Sequence, residues 1–296
     1  MKVLITTDWY RPVINGVVTS VVNLADGLQA LGHEVRILTL SGTLHSYRAD
    51  NVTFIGSIGV GTIYPDARLC PTLGETGKAL VQSLIDWKPD SVHSQCEFST
   101  FDLARRIARA SSCPLVHTYH TVYENITQHF SPSIRFGRFL AARFSQHILS
   151  QTSAVIVPTE KIWSILQGYG IARPIYMVPT GLKLDAFLTP TPQLPRDMLR
   201  AKLGFQEKDL VLVFVGRLAQ EKISANYFAF SQKHRKIANF CWLATDPTGM
   251  NWKRKCKNTI CRAGWFLPVW LRHPRLQITT EPAMFLSASL KAKRRG

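Results

Sequence analysis

The first 222 residues alternate between short β-rich runs and stretches with a helical spacing of apolar residues. Lys2–Thr7 is a run of this first kind, and turn residues follow it. From Val17 to Leu31, apolar residues stand at positions 17, 18, 21, 24, 25, 28 and 31. This spacing predicts an amphipathic helix, and Gly32 stands where a helix is expected to end.

The same alternation continues along the chain. Strands are predicted in HEVRILTLS, NVTFIGS, DSVHSQ, PLVHTYH, SAVIVPT and PIYMVPTG, and helices over about 78–87 and in FDLARRIARA. Strands that alternate with helices in this way form right-handed βαβ units and a parallel sheet. The fold class is therefore α/β. The Pro-rich stretch LTPTPQLP is typical of a linker, and LVLVFVGR after it predicts a buried strand of a second unit.

Beyond Lys222 the periodic pattern stops. The 296-residue chain has a formal net charge of +17, which ordinarily indicates nucleic acid or an anionic membrane as a partner. However, residues 223–296 hold 14 basic and 2 acidic residues, so most of this charge lies in one quarter of the chain. A basic tail with interleaved Trp suggests nucleic-acid binding, but nothing in it matches a recognised binding motif.

The six cysteines show no paired spacing, which argues against a disulfide framework and against a zinc site. The opening MKVLITTDWY has too short an apolar run for a signal peptide, and no stretch has the apolar length of a membrane span. We therefore expect a cytoplasmic protein with reduced thiols.

Seven segments carry a family resemblance. They are TDWYRPVINGVVTSV, GHEVRILT, HSQCEFST, HTYHTVYE, VIVPTEK, VPTGLKLDAF and FVGRLAQEK, and they cover nearly all of residues 1–222. In this order they resemble retaining glycosyltransferases of the GT-B fold, above all bacterial enzymes that transfer glucose or galactose from a nucleotide sugar to diacylglycerol. The resemblance implies two Rossmann-like domains. We expect an N-terminal, acceptor-side domain over 1–188, a linker and helix over 189–208, and the start of a nucleotide-sugar domain over 209–222.

The tail lacks the segments that this family has next, a V-G-D-G-P loop and an S-E-x-x-G segment. When the tail is back-translated and read from the third base of each codon, Cys241–Lys253 can give L-V-G-D-G-P-Y-R-N-E-L-E, and the last 20 residues can give Q-S-E-T-Q-G. Our hypothesis is that residues 223–296 are an out-of-frame translation of the second domain. We expect this tail to be disordered or poorly packed.

The resemblance also suggests which residues bind the donor. Arg217 and Lys222 match the diphosphate-binding pair of the family, and a guanidinium and an ammonium suit oxygens that gain charge as the bond breaks. Without the resemblance, two solvated cations after a strand are an equally good interpretation. Gly16, between the first strand and its helix, lets a ligand approach the backbone, although it is otherwise an ordinary turn residue.

His120 closes the strand LVHTYH, and sites in α/β sheets lie beyond the carboxyl ends of strands. It matches the active-site His of the family, whereas His117 and His129 are interpreted as structural or surface residues. Glu124 is a candidate for orienting the acceptor, with an exposed carboxylate at a helix start as the alternative.

The segment IRFGRFLAARFSQHIL combines Arg135, Arg138 and Arg143 with Phe139 and other apolar residues at helical spacing. Such a helix suits an anionic membrane surface, and a core helix with a solvated face is the alternative.

We expect a hexosyltransferase that moves a hexose from a UDP-sugar to a lipid acceptor, 1,2-diacylglycerol, with retention of anomeric configuration. The resemblance implies no cofactor and no metal. The expected partners are the nucleotide sugar, the lipid and an anionic membrane, with no nucleic acid, so the protein is expected to be peripheral to the inner face of the plasma membrane. Because the donor domain is missing, we expect the encoded chain to be inactive. The alternative is a basic protein that binds membranes or nucleic acid through its tail.

Overall fold

The computed structural model describes residues 1–60, 67–124, 131–184, 188, 195–202, 205–208, 211–217, 239–245 and 265–268. The chain divides into two compact units, Met1–Leu184 and Asp185–Gly296. Sequence analysis predicts a first domain over 1–188, and the first unit ends at Leu184.

The first unit is built on an eight-stranded sheet. Its strands are β1 (Lys2–Thr7), β2 (Glu34–Leu40), β3 (Tyr47–Ala49), β4 (Val52–Ile55), β7 (Ser91–Ser94), β8 (Leu115–Thr118), β9 (Ala154–Val157) and β10 (Ile175–Met177). Their order in the sheet is β10-β9-β8-β7-β1-β2-β4-β3. All neighbours are parallel except β3 and β4, which form an antiparallel edge. A separate two-stranded ribbon pairs β5 (Ile58–Gly59) with β6 (Arg68–Leu69).

Five helices connect these strands in the described part of this unit: α1 (Gly16–Ala30), α2 (Glu75–Asp86), α3 (Ser99–Ala110), α4 (Ile134–Leu149) and α5 (Glu160–Gly168). Three of them begin at a side-chain cap, in which Asn15, Ser133 and Thr159 accept hydrogen bonds from backbone N–H groups of the first turn. Gly32, two residues after α1, has φ +80°, a backbone conformation that favours glycine. The predicted α/β alternation is thus confirmed.

The sheet is buried on both faces, as expected for apolar parallel strands. Side chains of a strand alternate between faces, so Leu4 of β1 joins one apolar cluster while Val3 and Ile5 join the other. The larger cluster includes Phe101 and Ile107 of α3, and the smaller one includes residues of α1. Helices on both faces hold the carboxyl edge of the sheet in place.

The second unit contains α6 (Arg196–Lys202) and three parallel strands, β11 (Val211–Arg217), β12 (Asn239–Thr245) and β13 (Trp265–Pro268), in this order. Strand β11 was predicted from LVLVFVGR. Sequence analysis found no periodic pattern after residue 222, and β12 and β13 lie in this part of the chain. Their segments, NFCWLAT and WFLP, are apolar, aromatic runs too short for a period to be recognised. The expectation that the tail is disordered or poorly packed stays a prediction.

Candidate active site

The candidate site lies where three neighbouring strands of the first unit end. Strands β7, β1 and β8 end at Ser94, Thr7 and Thr118, and the register pairs Thr6 with Ser94 and Ser94 with His117. Because the strands are parallel, the residues that follow each of them meet at the same edge of the sheet. Ligands of α/β proteins bind at this edge.

His120 lies two residues beyond β8, partly exposed. Its Nε2 is 2.7 Å from Oε1 of Gln95, which follows β7 and is buried. Burial lowers the pKa of His120 to about 4, the Glu97 carboxylate opposes this shift, and His117 adds to it. The imidazole is therefore neutral at physiological pH, so it can donate or accept a hydrogen bond without carrying charge.

Gln95 connects His120 to a second imidazole. The amide nitrogen of Gln95 is 3.5 Å from Oγ1 of Thr118, and this oxygen is 2.7 Å from Nε2 of His93. The backbone N–H of Gln95 donates to the carbonyl of Thr6 at 2.9 Å, which fixes the residue to strand β1. Burial, to which the neighbouring His117 and His120 add, lowers the pKa of His93 to about 3.

A second buried polar cluster lies beside the first. Nδ1 of His117 is 3.0 Å from Oγ of Ser94, and its Nε2 is 3.4 Å from Oε1 of Glu97. His117 is fully buried, which agrees with its interpretation as a structural residue; His129 lies outside the described residues. Burial raises the pKa of the neighbouring Tyr123 hydroxyl, as do the charge of Glu97 and its hydrogen bond with Tyr123.

Asp8 follows β1 and is buried. Its Oδ1 accepts a hydrogen bond from the backbone N–H of Thr100, in the first turn of α3, at 2.9 Å. Burial raises the pKa of Asp8 to about 6; the hydrogen bonds from Thr100 oppose this shift, and the charge of Glu97 adds to it.

Gly16 is the exposed first residue of α1. A Cβ atom added here meets no atom within 4 Å, so the protein itself does not require glycine at this position. The N-terminus of α1, where Gly16 lies, favours an anion. This position is compatible with the predicted donor contact, which stays a prediction.

Glu124 is not an exposed carboxylate at a helix start, which was the alternative interpretation of this residue. Its Oε1 accepts a hydrogen bond from the Tyr169 hydroxyl at 2.8 Å and lies 3.3 Å from Nε of Arg138. The side chain is 23% exposed. Glu124 therefore joins α4 and the end of α5, and its predicted acceptor contact stays a prediction.

Helix α4 has two faces of different character. Gly137, Ala141, Ser145 and Ile148 are buried, while Arg135, Arg138 and Arg143 are exposed. The exposed side also carries large apolar side chains, namely Ile134, Phe136, Phe139 and Leu140. The helix is thus packed against the core through small residues and presents a basic, aromatic surface, which we call the α4 surface (residues 134, 135, 136, 138, 139, 140 and 143).

The predicted diphosphate-binding pair belongs to the second unit. Arg217 is the last residue of β11 and is paired with Thr245 of β12. Lys222 lies outside the described residues.

Sequence analysis did not single out Asp8, His93, Gln95, Glu97 or Thr118. A signal was nevertheless present, because TTD, HSQCE and VHT each place polar residues at or directly after the end of a predicted strand. Which of these residues touch His120 depends on the order of β1, β7 and β8 in the sheet.

A pocket of about 480 Å³ opens beside Glu97. Its walls are Leu69–Leu73 and residues of α3, together with His147, Ile148 and Gln151 at the end of α4.

Within the described part of the chain, no helix is long and apolar enough to cross a membrane.

Comparison with known proteins defines the class to which this fold and site belong. The profile of Glycosyltransferase Family 4 matches residues 14–186, which include the whole carboxyl edge after β7 and β8. The chain belongs to this glycosyltransferase family.

Two curated relatives carry the same name, alpha-monoglucosyldiacylglycerol synthase. The protein from Acholeplasma laidlawii is 32% identical over 230 residues, which are 75% of this chain and 57% of that protein. The protein from Streptococcus pneumoniae is 30% identical over 234 residues, 78% of this chain and 52% of that protein. The chain thus spans little more than half the length of either relative.

Among solved structures, sucrose-phosphate synthase from Thermosynechococcus elongatus is similar in fold, with a TM-score of 0.56 and 16% identity over 90% of this chain and 70% of that one. The GT-B type of α/β fold predicted from the sequence is confirmed.

Proposed function

We propose that residues 1–188 are the acceptor-side domain, and residues 209–222 the start of the nucleotide-sugar domain, of a hexosyltransferase that moves a hexose from UDP-glucose or UDP-galactose to 1,2-diacylglycerol. The observation that carries the proposal is the position of His120, which Gln95 holds at the carboxyl edge of the sheet. The chain that forms this sheet belongs to a glycosyltransferase family. Both curated relatives are named for the glucosylation of diacylglycerol, which supports the lipid acceptor.

In this proposal, His120 lies between the donor sugar and the acceptor. A neutral imidazole there can hydrogen-bond sugar or glycerol hydroxyls, and its low pKa keeps it neutral at the pH of the cytoplasm. By the family resemblance, Arg217 and Lys222 are proposed to bind the departing diphosphate, whose negative charge grows as the glycosidic bond breaks. Gly16, at the N-terminus of α1, is proposed separately as a donor contact. The leaving phosphate acts as the local base, the configuration is retained, and no metal or cofactor takes part.

The α4 surface is proposed to bring this domain to an anionic membrane. Arg135, Arg138 and Arg143 supply positive charge beside the exposed rings of Phe136 and Phe139. A helix with both features binds where lipid headgroups meet acyl chains. Diacylglycerol has no soluble pool to draw on, so an enzyme that uses it must reach this surface.

The encoded chain itself is proposed to be inactive. The alignments with the two curated relatives cover 75% and 78% of this chain. These shares are close to three quarters of the chain, the fraction that residues 1–222 represent. The donor-binding segments expected after residue 222 are absent from the translated chain, and back-translation can yield them in a shifted reading frame. Sequencing the gene around codon 222 tests this step, since an intact frame without those segments would refute it.

The transferase function is tested with a protein whose reading frame has been restored at codon 222. Incubated with labelled UDP-glucose or UDP-galactose and vesicles that contain diacylglycerol, it should label the lipid. His120→Ala should lower kcat at least about 100-fold, the smaller end of the range for removing one hydrogen-bonding group that stabilises the transition state. His45→Ala, which removes an exposed loop imidazole, is the matched control and should leave kcat unchanged. Failure to label lipid, or equal effects of both substitutions, would contradict the proposal.

A further inference from the structure

Four polar side chains form a continuous hydrogen-bond chain that ends at the candidate catalytic imidazole. In order, they are His93, Thr118, Gln95 and His120, with separations of 2.7, 3.5 and 2.7 Å. Thr118 and Gln95, the middle members, are buried. Such a chain has only two self-consistent directions, because each group must donate to the next along its whole length.

The arrangement of the Gln95 amide selects one direction. Its oxygen lies 2.7 Å from Nε2 of His120, and its nitrogen lies 3.5 Å from the Thr118 hydroxyl. The opposite direction needs the threonine O–H to donate to the amide oxygen, a bond for which about 2.7–2.8 Å is usual. The long separation suits the amide N–H as donor, so the Gln95 oxygen faces His120.

Proton positions follow from this orientation. An amide oxygen only accepts, so Nε2 of His120 carries the hydrogen and donates it to Gln95. The Gln95 N–H donates to the Thr118 oxygen, and the Thr118 O–H donates in turn to Nε2 of His93, which has an unprotonated lone pair there. His93 can play this part because it stays neutral, its pKa being lowered by burial and by the two neighbouring imidazoles.

We propose that Gln95 is a positioning residue that, with Thr118 and His93, fixes His120 in the tautomer protonated at Nε2 and leaves Nδ1 as a hydrogen-bond acceptor. Among the described residues, Nδ1 of His120 has no hydrogen-bond partner. His120 therefore presents an unprotonated Nδ1 to the substrate. This nitrogen can accept a hydrogen bond from a substrate hydroxyl group. This last step rests on the proposed function, since the hydroxyl belongs to the sugar or to the glycerol acceptor. The tautomer itself does not depend on any substrate.

The tautomer is measured in the 296-residue chain labelled with ¹⁵N-histidine, by the ring nitrogen shifts at neutral pH without ligand. We expect a single His120 tautomer, with hydrogen on Nε2. A dominant Nδ1–H form in the unaltered chain overturns the inference, and this measurement needs no variant to fold.

Variants then test which residues impose the tautomer. Gln95→Leu and Thr118→Val should each give a mixture of both tautomers, and Thr118→Ser should restore the single form because it returns the hydroxyl. Gln95→Glu should keep hydrogen on Nε2 and raise the pKa of His120 by about 1–3 pH units, because a carboxylate favours the imidazolium. Ser94→Ala is the control, since its hydroxyl contacts His117 and not this chain. An unchanged tautomer in Gln95→Leu overturns the positioning role, whatever the outcome of the transfer assay.

Discussion

Asp8 and Thr100 are separated by 92 positions in the sequence, yet Oδ1 of Asp8 accepts the backbone N–H of Thr100 at 2.9 Å. The residue before α3, Phe98, supplies no side-chain cap to the helix. Asp8 thus caps α3 from the end of β1, and it does so as a buried carboxylate whose pKa is raised to about 6. The strand that opens the chain and the helix beyond β7 are joined at the candidate active site.

This buried carboxylate makes stability depend on pH with a definite sign. The folded pKa of about 6 exceeds the ordinary 3.8, so between these values the folded state binds more protons than the unfolded state. The contribution of Asp8 to the free energy of unfolding therefore falls as pH rises from about 4 to about 6 and stays lower above that. The lowered pKa values of His93 and His120 act in the opposite direction over the same range.

Asp8→Asn isolates the effect of Asp8, because an amide oxygen still accepts from Thr100 but carries no charge. We expect this variant to be more stable than the unaltered chain at pH 7.5, by on the order of 3 kcal/mol for a shift of about two pH units. The difference should nearly vanish at pH 4. Urea unfolding at both pH values measures it, with the exposed Asp102→Asn as control. A stabilisation equal at both pH values would show that the charge of Asp8 is not responsible.

The contact between Tyr169 and Glu124 predicts a coupled pair. The Tyr169 hydroxyl donates to Oε1 of Glu124 at 2.8 Å, and Tyr169 is only 5% exposed. Tyr169→Phe should lower the free energy of unfolding by about 1.5–3 kcal/mol, as for hydrogen bonds to charged groups. In a double-mutant cycle with Glu124→Leu, we expect a coupling of about 1 kcal/mol or more. Additive effects would show that the two side chains are not energetically coupled.

The α4 surface predicts membrane binding that can be altered without unfolding the chain. Phe139 is 56% exposed, so Phe139→Ala should leave the thermal midpoint unchanged and weaken binding to anionic vesicles about tenfold, because one ring no longer enters the lipid. Arg143→Gln should weaken binding mainly at low salt, where about 1 kcal/mol per basic residue is expected. Leu44→Ala, which alters an apolar residue elsewhere that is 74% exposed, serves as control. Equal loss in the control, or none in Phe139→Ala, would exclude this surface.

Gly16 and Gly27 form a matched pair within α1, because a Cβ atom at either position meets no atom within 4 Å. Gly27→Ala should stabilise the chain by about 0.5–1 kcal/mol through helix propensity. Gly16→Leu should leave stability nearly unchanged but raise the KM for the UDP-sugar in the frame-restored protein, because its side chain enters the proposed phosphate position. Vesicle transfer assays and thermal unfolding of both variants test this. A KM unchanged in Gly16→Leu would remove Gly16 from the donor site.

Much of the first unit could be predicted from its sequence for a physical reason. Strands buried on both faces, such as β1 and β2, are short apolar runs, and α1 has a helical period with Asn15 before it and Gly32 after it. The place of His120 at the edge of the sheet followed from the position of its strand in the same way. These features depend on local sequence and on the parallel direction of the strands.

The contacts within the site could not be predicted in this way. Gln95 meets His120 because β7 and β8 are neighbours, and Asp8 meets Thr100 because β1 lies on the other side of β7. Sequence periodicity identifies strands but does not order them in a sheet. The strands β12 and β13 were not predicted for a different reason, since their short segments show no clear period.

The central proposal is that residues 1–188 provide the acceptor-side domain of a hexosyltransferase and that the nucleotide-sugar domain is not encoded in frame after residue 222. The most direct measurement is the transfer of labelled glucose from UDP-glucose to diacylglycerol by the 296-residue chain and by the frame-restored protein, under identical conditions. We predict labelled lipid with the frame-restored protein and none above background with the 296-residue chain. Transfer by the 296-residue chain, or by neither protein, would contradict the account.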